Sequence, residues 1–280
     1  MTLKLRQPAV AGQFYPADAR ELQEMLSNFL GQLQQAGKDY FPRIIIVPHA
    51  GYIFSGPVAA YAYQVVKQAD FKRIIILGVS HYYPFNGIAL SGCQLWETPL
   101  GTIKVDQQTN QSFLKVGTKA FINDDIHRPE HSLEVQLPFL QYCLSDFVIV
   151  PLLLGGEDKT TLDFLSGKLS GLLASHDVLL VVSSDLSHYP DYNTATEADK
   201  RLLGAVVKGR YDEFISVYQQ LEKEFPYVDT FACGRAAILT ALQIAEIMKL
   251  KGELLHYANS GDSPWGDKER VVGYGAVVFY

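Results

Sequence analysis

The sequence predicts a single α/β domain with a mostly parallel central sheet flanked by helices. Three observations carry this. Ile44 to Val47, Ile74 to Leu77 and Leu179 to Val182 are short apolar runs with no polar residue. Strands buried on both faces of a parallel sheet read this way. Strand-like and helix-like segments alternate along the chain. A length of 280 residues with 48% hydrophobic content is enough for one large core, and no repeat, low-complexity tract or linker divides residues 1–280.

Taken in order, Pro8 to Pro16 is a loop rich in aromatic and turn residues. Asp18 reads as a helix N-cap, with Glu21 completing a capping box. Leu22, Met25, Leu26, Phe29, Leu30 and Leu33 recur at helical spacing to about Gln35, and Gly37 ends that helix. The first buried strand stops at Pro48, which has no N–H to donate. Pro57 suits the first turn of a helix over Val58 to Gln68. Beyond the second buried strand, Ile88 to Ser91 and Thr102 to Val105 read as short strands of an antiparallel edge. Asp106 caps a helix to about Val116, and Phe121 to His127 carries no clear pattern. A helical pattern resumes from His131 to Leu140, where Pro138 predicts a kink if the helix is continuous. Phe147 to Leu154 is another buried strand, Thr160 to Leu173 a helix, and Val178 to Ser183 a strand. Helices follow over Thr194 to Lys208, over Tyr211 to Glu222, and from near Cys233 to about Leu250. Glu253 to Asn259 and Val271 to Phe279 are the final strands.

The three buried strands share a further property. The first exits through Pro48 into His49, the second through Gly78-Val79-Ser80 into His81, and the third through Ser183-Ser184 into Asp185 and His188. Ligands of open α/β sheets bind outside the carboxyl ends of the strands, and imidazole is the commonest protein metal ligand. One strand-end histidine is more often a hydrogen-bonded loop residue. Three in the same structural position, among only seven histidines, point to one site. Asp185 is a ligand, an orienting partner of a neighbouring imidazole, or a turn cap. Cys233 begins an apolar helix beside Arg235. A thiol there is expected to have a lowered pKa and to act as thiolate ligand or nucleophile, the alternative being a packing residue. Cys93 and Cys143 lack that context and read as packing residues. His131 and Glu134 are one helical turn apart, so they face the same way and can serve a metal or act as acid and base; the alternative is a solvated helix start. His127, His176 and His256 have no recognisable partners. The chain has no HExxH, P-loop, GxSxG or helix-opening GxGxxG motif.

A net charge of −6 argues against general nucleic-acid binding. No apolar stretch reaches the ~20 residues of a transmembrane helix, and Met1 to Arg6 does not read as a signal peptide. The three cysteines form neither a CxxC nor a disulfide framework, so a reducing cytoplasm is expected.

Val10-Ala11-Gly12-Gln13-Phe14-Tyr15-Pro16, Val47-Pro48-His49-Ala50-Gly51-Tyr52, Gly78-Val79-Ser80-His81, Glu130-His131-Ser132-Leu133-Glu134, Ser184-Asp185-Leu186-Ser187-His188 and Cys233-Gly234-Arg235 together resemble the Memo (mediator of cell motility) family. Its bacterial and archaeal members are also called AmmeMemoRadiSam system protein B. The resemblance spans nearly the whole chain. It implies a fold like that of the class III extradiol dioxygenases, which hold non-haem Fe(II) with two histidines and a glutamate. It also implies that His49, His81 and Cys233 are metal ligands, and that Asp185 and His188 line the same pocket as tuning group and general acid/base. His131 and Glu134 are expected in a supporting layer. Cys233 stands where the dioxygenases present a carboxylate, which favours softer metals. The expected function is that of a metal-dependent redox enzyme with a dioxygenase-like pocket, using iron or copper in preference to zinc. The ligand would be a small molecule or a peptide, with a functional link to a radical SAM protein. A non-catalytic metal- or peptide-binding module and a zinc-dependent hydrolase are the alternatives.

Overall fold

A computed structural model describes residues 3–33, 41–67, 69–115 and 117–280. The helix end expected at Gln35 to Gly37, the end at Gln68 and the helix end at Val116 lie outside these residues. The chain runs through β1 (Leu5–Arg6), α1 (Ala19–Gly31), β2 (Ile44–Val47), α2 (Tyr52–Val66) and β3 (Arg73–Val79). It continues through β4 (Gly87–Leu90), β5 (Leu95–Thr98), β6 (Gly101–Val105), α3 (Gln107–Gln111), β7 (Ala120–Ile122) and α4 (Asp124–His127). A 3-10 turn (Glu134–Gln136) leads into α5 (Leu137–Cys143), β8 (Val148–Gly155), α6 (Lys159–Leu173) and β9 (Val178–Ser183). The last elements are α7 (Tyr192–Val207), α8 (Tyr211–Glu224), α9 (Arg235–Met248), β10 (Gly252–Asn259) and β11 (Gly273–Phe279).

The strands form one sheet in the order β1-β5-β6-β8-β3-β9-β2-β11-β10, with β4 pairing both β8 and β7. Its centre is parallel: β6 with β8, β8 with β3, β3 with β9 and β9 with β2. Antiparallel pairs lie toward the margins, β5 with β6, β4 with β8, and β2 with β11 followed by β10. The three apolar runs are therefore interior strands, as their composition requires. Alternate residues feed two cores. Ile44 and Ile46 of β2 pack with α6 to α9, whereas Ile45 and Val47 pack with α1, α2 and α5. Each fully buried Ile, Leu or Val contributes about 1.5–3 kcal/mol relative to exposure, which is why the three runs carry no polar residue.

Proline placement departs from the sequence reading twice. α2 begins at Tyr52, so Pro57 sits inside it. Pro57 cannot donate to the carbonyl of Ile53, and that oxygen instead takes the Ser263 hydroxyl at 3.4 Å. Pro138 causes no kink, because α5 starts at Leu137 and Pro138 occupies its first turn, where a missing N–H costs nothing. As expected, Asp18 and Asp106 cap their helices. The segment without a clear pattern resolves into β7 and α4, the latter capped by Asn123.

Candidate metal centre

β3, β9 and β2 are adjacent and parallel, so their carboxyl ends emerge side by side. Neighbouring strands lie about 4.8 Å apart, which brings the exits of all three within reach of one ligand. His49 follows β2, His81 follows β3, and the Asp185 to His188 segment follows β9. A fourth group comes from outside this trio. His131, in the turn before α5, stacks on His81 with ring centroids 4.5 Å apart and 20° between planes. His49 stands edge-on to both, at 5.2 Å from His81 and 5.5 Å from His131. One ring nitrogen from each of the three lies within 4.8 Å of the others, the spacing of a group able to hold a metal ion. His49 is buried, while the His81 side chain is 27% exposed and marks the open side.

The tautomers of two of these rings follow from their partners. The Ser183 hydroxyl has one proton, which it donates to the carbonyl of Ser132 at 2.6 Å. It therefore accepts from His49 Nδ1 at 2.9 Å and from Gln136 Nε2 at 2.9 Å. Gln136 is itself oriented, donating to the Pro48 carbonyl and accepting from the Tyr63 hydroxyl. His49 thus carries its proton on Nδ1, leaving the Nε2 lone pair free. Burial and the neighbouring His81 hold its pKa well below the ordinary imidazole value, so it is neutral at pH 7. His81 Nδ1 lies 2.9 Å from the Glu130 carboxylate, which can only accept, so Nδ1 carries a proton there too.

Glu130 is the residue that sequence reasoning passed over. It is 1% exposed, and besides His81 Nδ1 it accepts from the backbone N–H groups of His81, His131 and Ser132 at 2.7, 2.9 and 2.8 Å. Burial works against its charge, but the His81 hydrogen bonds and the nearby imidazoles prevail and hold its pKa at about 2. His131 Nδ1 is buried with no hydrogen-bond partner, 3.5 Å from Glu130 Oε1. Burial lowers the His131 pKa to about 4, so this ring too is neutral at pH 7.

Glu134, expected beside His131, points elsewhere. Its carboxylate is fully buried against Arg6 at 2.8 Å and accepts from Ala9 N, Val10 N and the Tyr15 hydroxyl. It ties the N-terminal loop to the site region. That loop in turn lays Phe14 against His131, with centroids 4.7 Å apart.

On the other flank of His49, Cys233 Sγ lies 3.1 Å from His49 Nε2 and accepts from Asp185 N at 3.3 Å. Gly234 makes this approach possible, since a Cβ there would fall 2.5 Å from the Ser183 carbonyl. The lowered thiol pKa expected at this helix start is not found. Burial and the Asp185 carboxylate push the Cys233 thiol upward, and the Arg235 guanidinium is turned away to Glu157. Cys233 meets the cluster at His49 and is not a member of the mutually close trio.

Asp185 is buried; its Oδ1 accepts from His49 N at 2.7 Å, and its Oδ2 lies 4.0 Å from His49 Nε2. Burial raises its pKa and lowers that of His188, whose Nε2 is buried without a partner. Orphaned imidazole nitrogens at His131 and His188, beside the acceptor Nε2 that His49 turns toward Cys233, fit a bound ion. The segment carrying Asp185 and His188 is clamped from below. Ser187 N and Oγ each donate to the buried Asp199 at 3.0 Å, and Leu186 N and Gly273 N complete a pair of backbone bonds.

The fold and cluster define an α/β protein with a three-histidine group able to hold a metal ion at the carboxyl edge of a parallel sheet. A profile of the Memo-like protein family matches residues 6–278, and the chain belongs to that family. It is 35% identical over 277 residues to a MEMO1 family protein of Thermoplasma volcanium, covering 98% of each chain. It is 36% identical over 286 residues to one of Methanosarcina acetivorans, covering 99% of each. It is also 33% identical over 281 residues to one of Aquifex aeolicus, covering 99% of this chain and all of that one. The crystal structure of an uncharacterized protein from Escherichia coli K12 matches with a TM-score of 0.50 and 12% identity, over 85% of this chain and 99% of that one, which extends the shared fold. No helix among the described residues is long and apolar enough to cross a membrane.

Proposed function

We propose that this protein is a non-haem, metal-dependent redox enzyme acting on a small organic molecule that enters past His81. The observation that carries this reading is the paired lock on the rings: Ser183 and Glu130 take the Nδ1–H of His49 and of His81. Such outer hydrogen bonds fix ring orientation and raise ligand basicity in metal sites. His49 and His81 hold the ion, and a third donor closes the site from one of two flanks, His131 or Cys233. Imidazoles with a thiol at the flank suit iron or copper. The bound ion supplies one-electron chemistry and Lewis-acid polarisation of a substrate oxygen. Asp185 and His188 handle the proton. Burial raises the pKa of the first and lowers that of the second, the direction expected of a buried acid/base pair.

A zinc hydrolase is the second reading, favoured by the all-imidazole trio. The experiment that separates them is retention and oxidation of metal. Protein purified without oxygen is loaded separately with Fe(II), Cu(I) and Zn(II), dialysed, and exposed to air. The redox reading expects iron or copper to be retained and then re-oxidised at a rate different from the ion in buffer. Retention of zinc alone would favour the hydrolase.

A further inference from the structure

We infer that this protein has a second ligand site, a cavity between the turn before β7 and the start of α6, which takes an organic monoanion with a flat apolar body, of the aromatic carboxylate class.

The cavity has a volume of about 370 Å³, a size usual for small-molecule sites. Lys115, Thr118 and Lys119 stand on one wall, and Asp158, Thr161 and Phe164 on the other. None of them belongs to the histidine group. Both walls are held by bonds of their own. The Thr118 hydroxyl donates to the Lys115 carbonyl at 2.7 Å and accepts from Lys115 N at 3.3 Å, which closes the turn. The Lys119 carbonyl packs on Gly87, where a Cβ would lie 2.0 Å from it, so only glycine lets the turn sit this close to β4. Across the cavity Asp158 caps α6, its Oδ2 accepting from Thr161 N at 3.0 Å and Thr161 Oγ1 at 2.7 Å. Phe164 follows Thr161 by three residues and so shares its face of the helix. It is half-buried, packed on the core from behind, and gives the cavity an aromatic wall.

Charge then selects the ligand. The chain carries a net charge of −6, but this cavity is positive. Asp158 is its one carboxylate, and Oδ2 is already covered by Thr161 and by Lys119 at 3.3 Å. Lys115 meets no carboxylate within ion-pair distance among the described residues. Lys168 behind it meets none either, donating to the Ser112 carbonyl at 2.9 Å and lying over the Phe113 ring. Burial and the Lys115 ammonium lower the Lys168 pKa, so the two cations stand close enough to repel. The positive end of α6 adds to the same potential. Two lysines against one aspartate leave a single positive charge on the cavity walls, which suits a monoanion. Phe164 and the lysine stems take a flat apolar body.

The probes are naphthoate and its neutral analogue naphthylmethanol, titrated into the full chain and followed by amide NMR. Naphthoate should bind with a Kd of about 1 mM or tighter, with shifts centred on Thr118, Lys119 and Thr161. It should bind at least about fivefold more tightly than the alcohol, and more weakly as salt is raised. Lys115→Gln and Phe164→Leu should each weaken it about three- to tenfold, with thermal melting as the check on folding. Lys67→Gln, a lysine over Tyr142 on the other face of the sheet, should change affinity by less than about twofold. Absence of saturation by about 10 mM overturns the inference. So do equal affinities for acid and alcohol, shifts centred elsewhere, or a Lys115→Gln protein that melts and binds like the unaltered one.

Discussion

Replacing Glu130 by glutamine changes one atom at the support of the cluster. Oε1 accepts from His81 Nδ1, His131 N and Ser132 N, and Oε2 accepts from His81 N. Glutamine keeps a single acceptor. With its carbonyl in the Oε1 position, its amide group meets the His81 N–H donor to donor. A buried donor without a partner costs about 1–3 kcal/mol. The three retained bonds also lose the strength that a charged acceptor gives. The expected destabilisation is about 3 kcal/mol, a fall in Tm of about 5 °C for a chain this long. Metal affinity should drop about 10–100-fold, as for other residues that orient a ligating histidine. The pH dependence supplies a sign. The Glu130 pKa is lowered from 4.5 to about 2 in the folded chain, so the stability it contributes is present above pH 4.5 and is lost as pH falls toward 2. The gap between wild type and variant should therefore narrow across that window. Chemical denaturation at several pH values and a chelator competition assay measure both quantities. A variant with wild-type Tm and unchanged metal affinity would refute the role given to Glu130.

Asp199 shows the opposite sign. Burial lifts its pKa from 3.8 to about 7 against the hydrogen bonds from Ser187 and Tyr257, so the native state holds the proton more tightly and stability declines as pH rises between those values. The decline is on the order of 4 kcal/mol, and Asp199→Asn should flatten stability curves over that range; an equally steep curve would count against it. Ser183→Ala removes the acceptor for His49 Nδ1 and should weaken metal binding about tenfold while leaving His81-dependent features intact, as read by histidine NMR of the two rings. In metal-free protein at pH 7 Cys233 should label slowly with a thiol reagent, because burial and Asp185 keep it protonated; fast labelling at Cys233, identified by peptide mass spectrometry, would contradict that placement.

The sheet centre was legible because the middles of β2, β3 and β9 are buried on both faces and are made of apolar side chains alone. Their exits into His49, His81 and Asp185–His188 were legible for the same reason. Other features depend on distant partners. Glu130 was not singled out, because its defining bond reaches His81 across 49 residues. Helical spacing placed Glu134 beside His131, but the backbone there is a 3-10 turn and Arg6 draws the carboxylate away. Cys233 has the local marks of an activated thiol. The cation that would activate it is paired with Glu157, and burial decides the outcome. Pro57 looked like a helix start because Ser263, which relieves the freed carbonyl, lies 210 residues away.

The central claim is that His49 and His81 hold one metal ion, and metal content of anaerobically purified variants tests it most directly. His176 is the control, a ring packed edge-on to Phe41 and outside the cluster. Wild type and His176→Ala should each retain about one equivalent of iron or copper after dialysis, and His49→Ala and His81→Ala less than about a tenth of that. Equal metal content in all four proteins would contradict the claim.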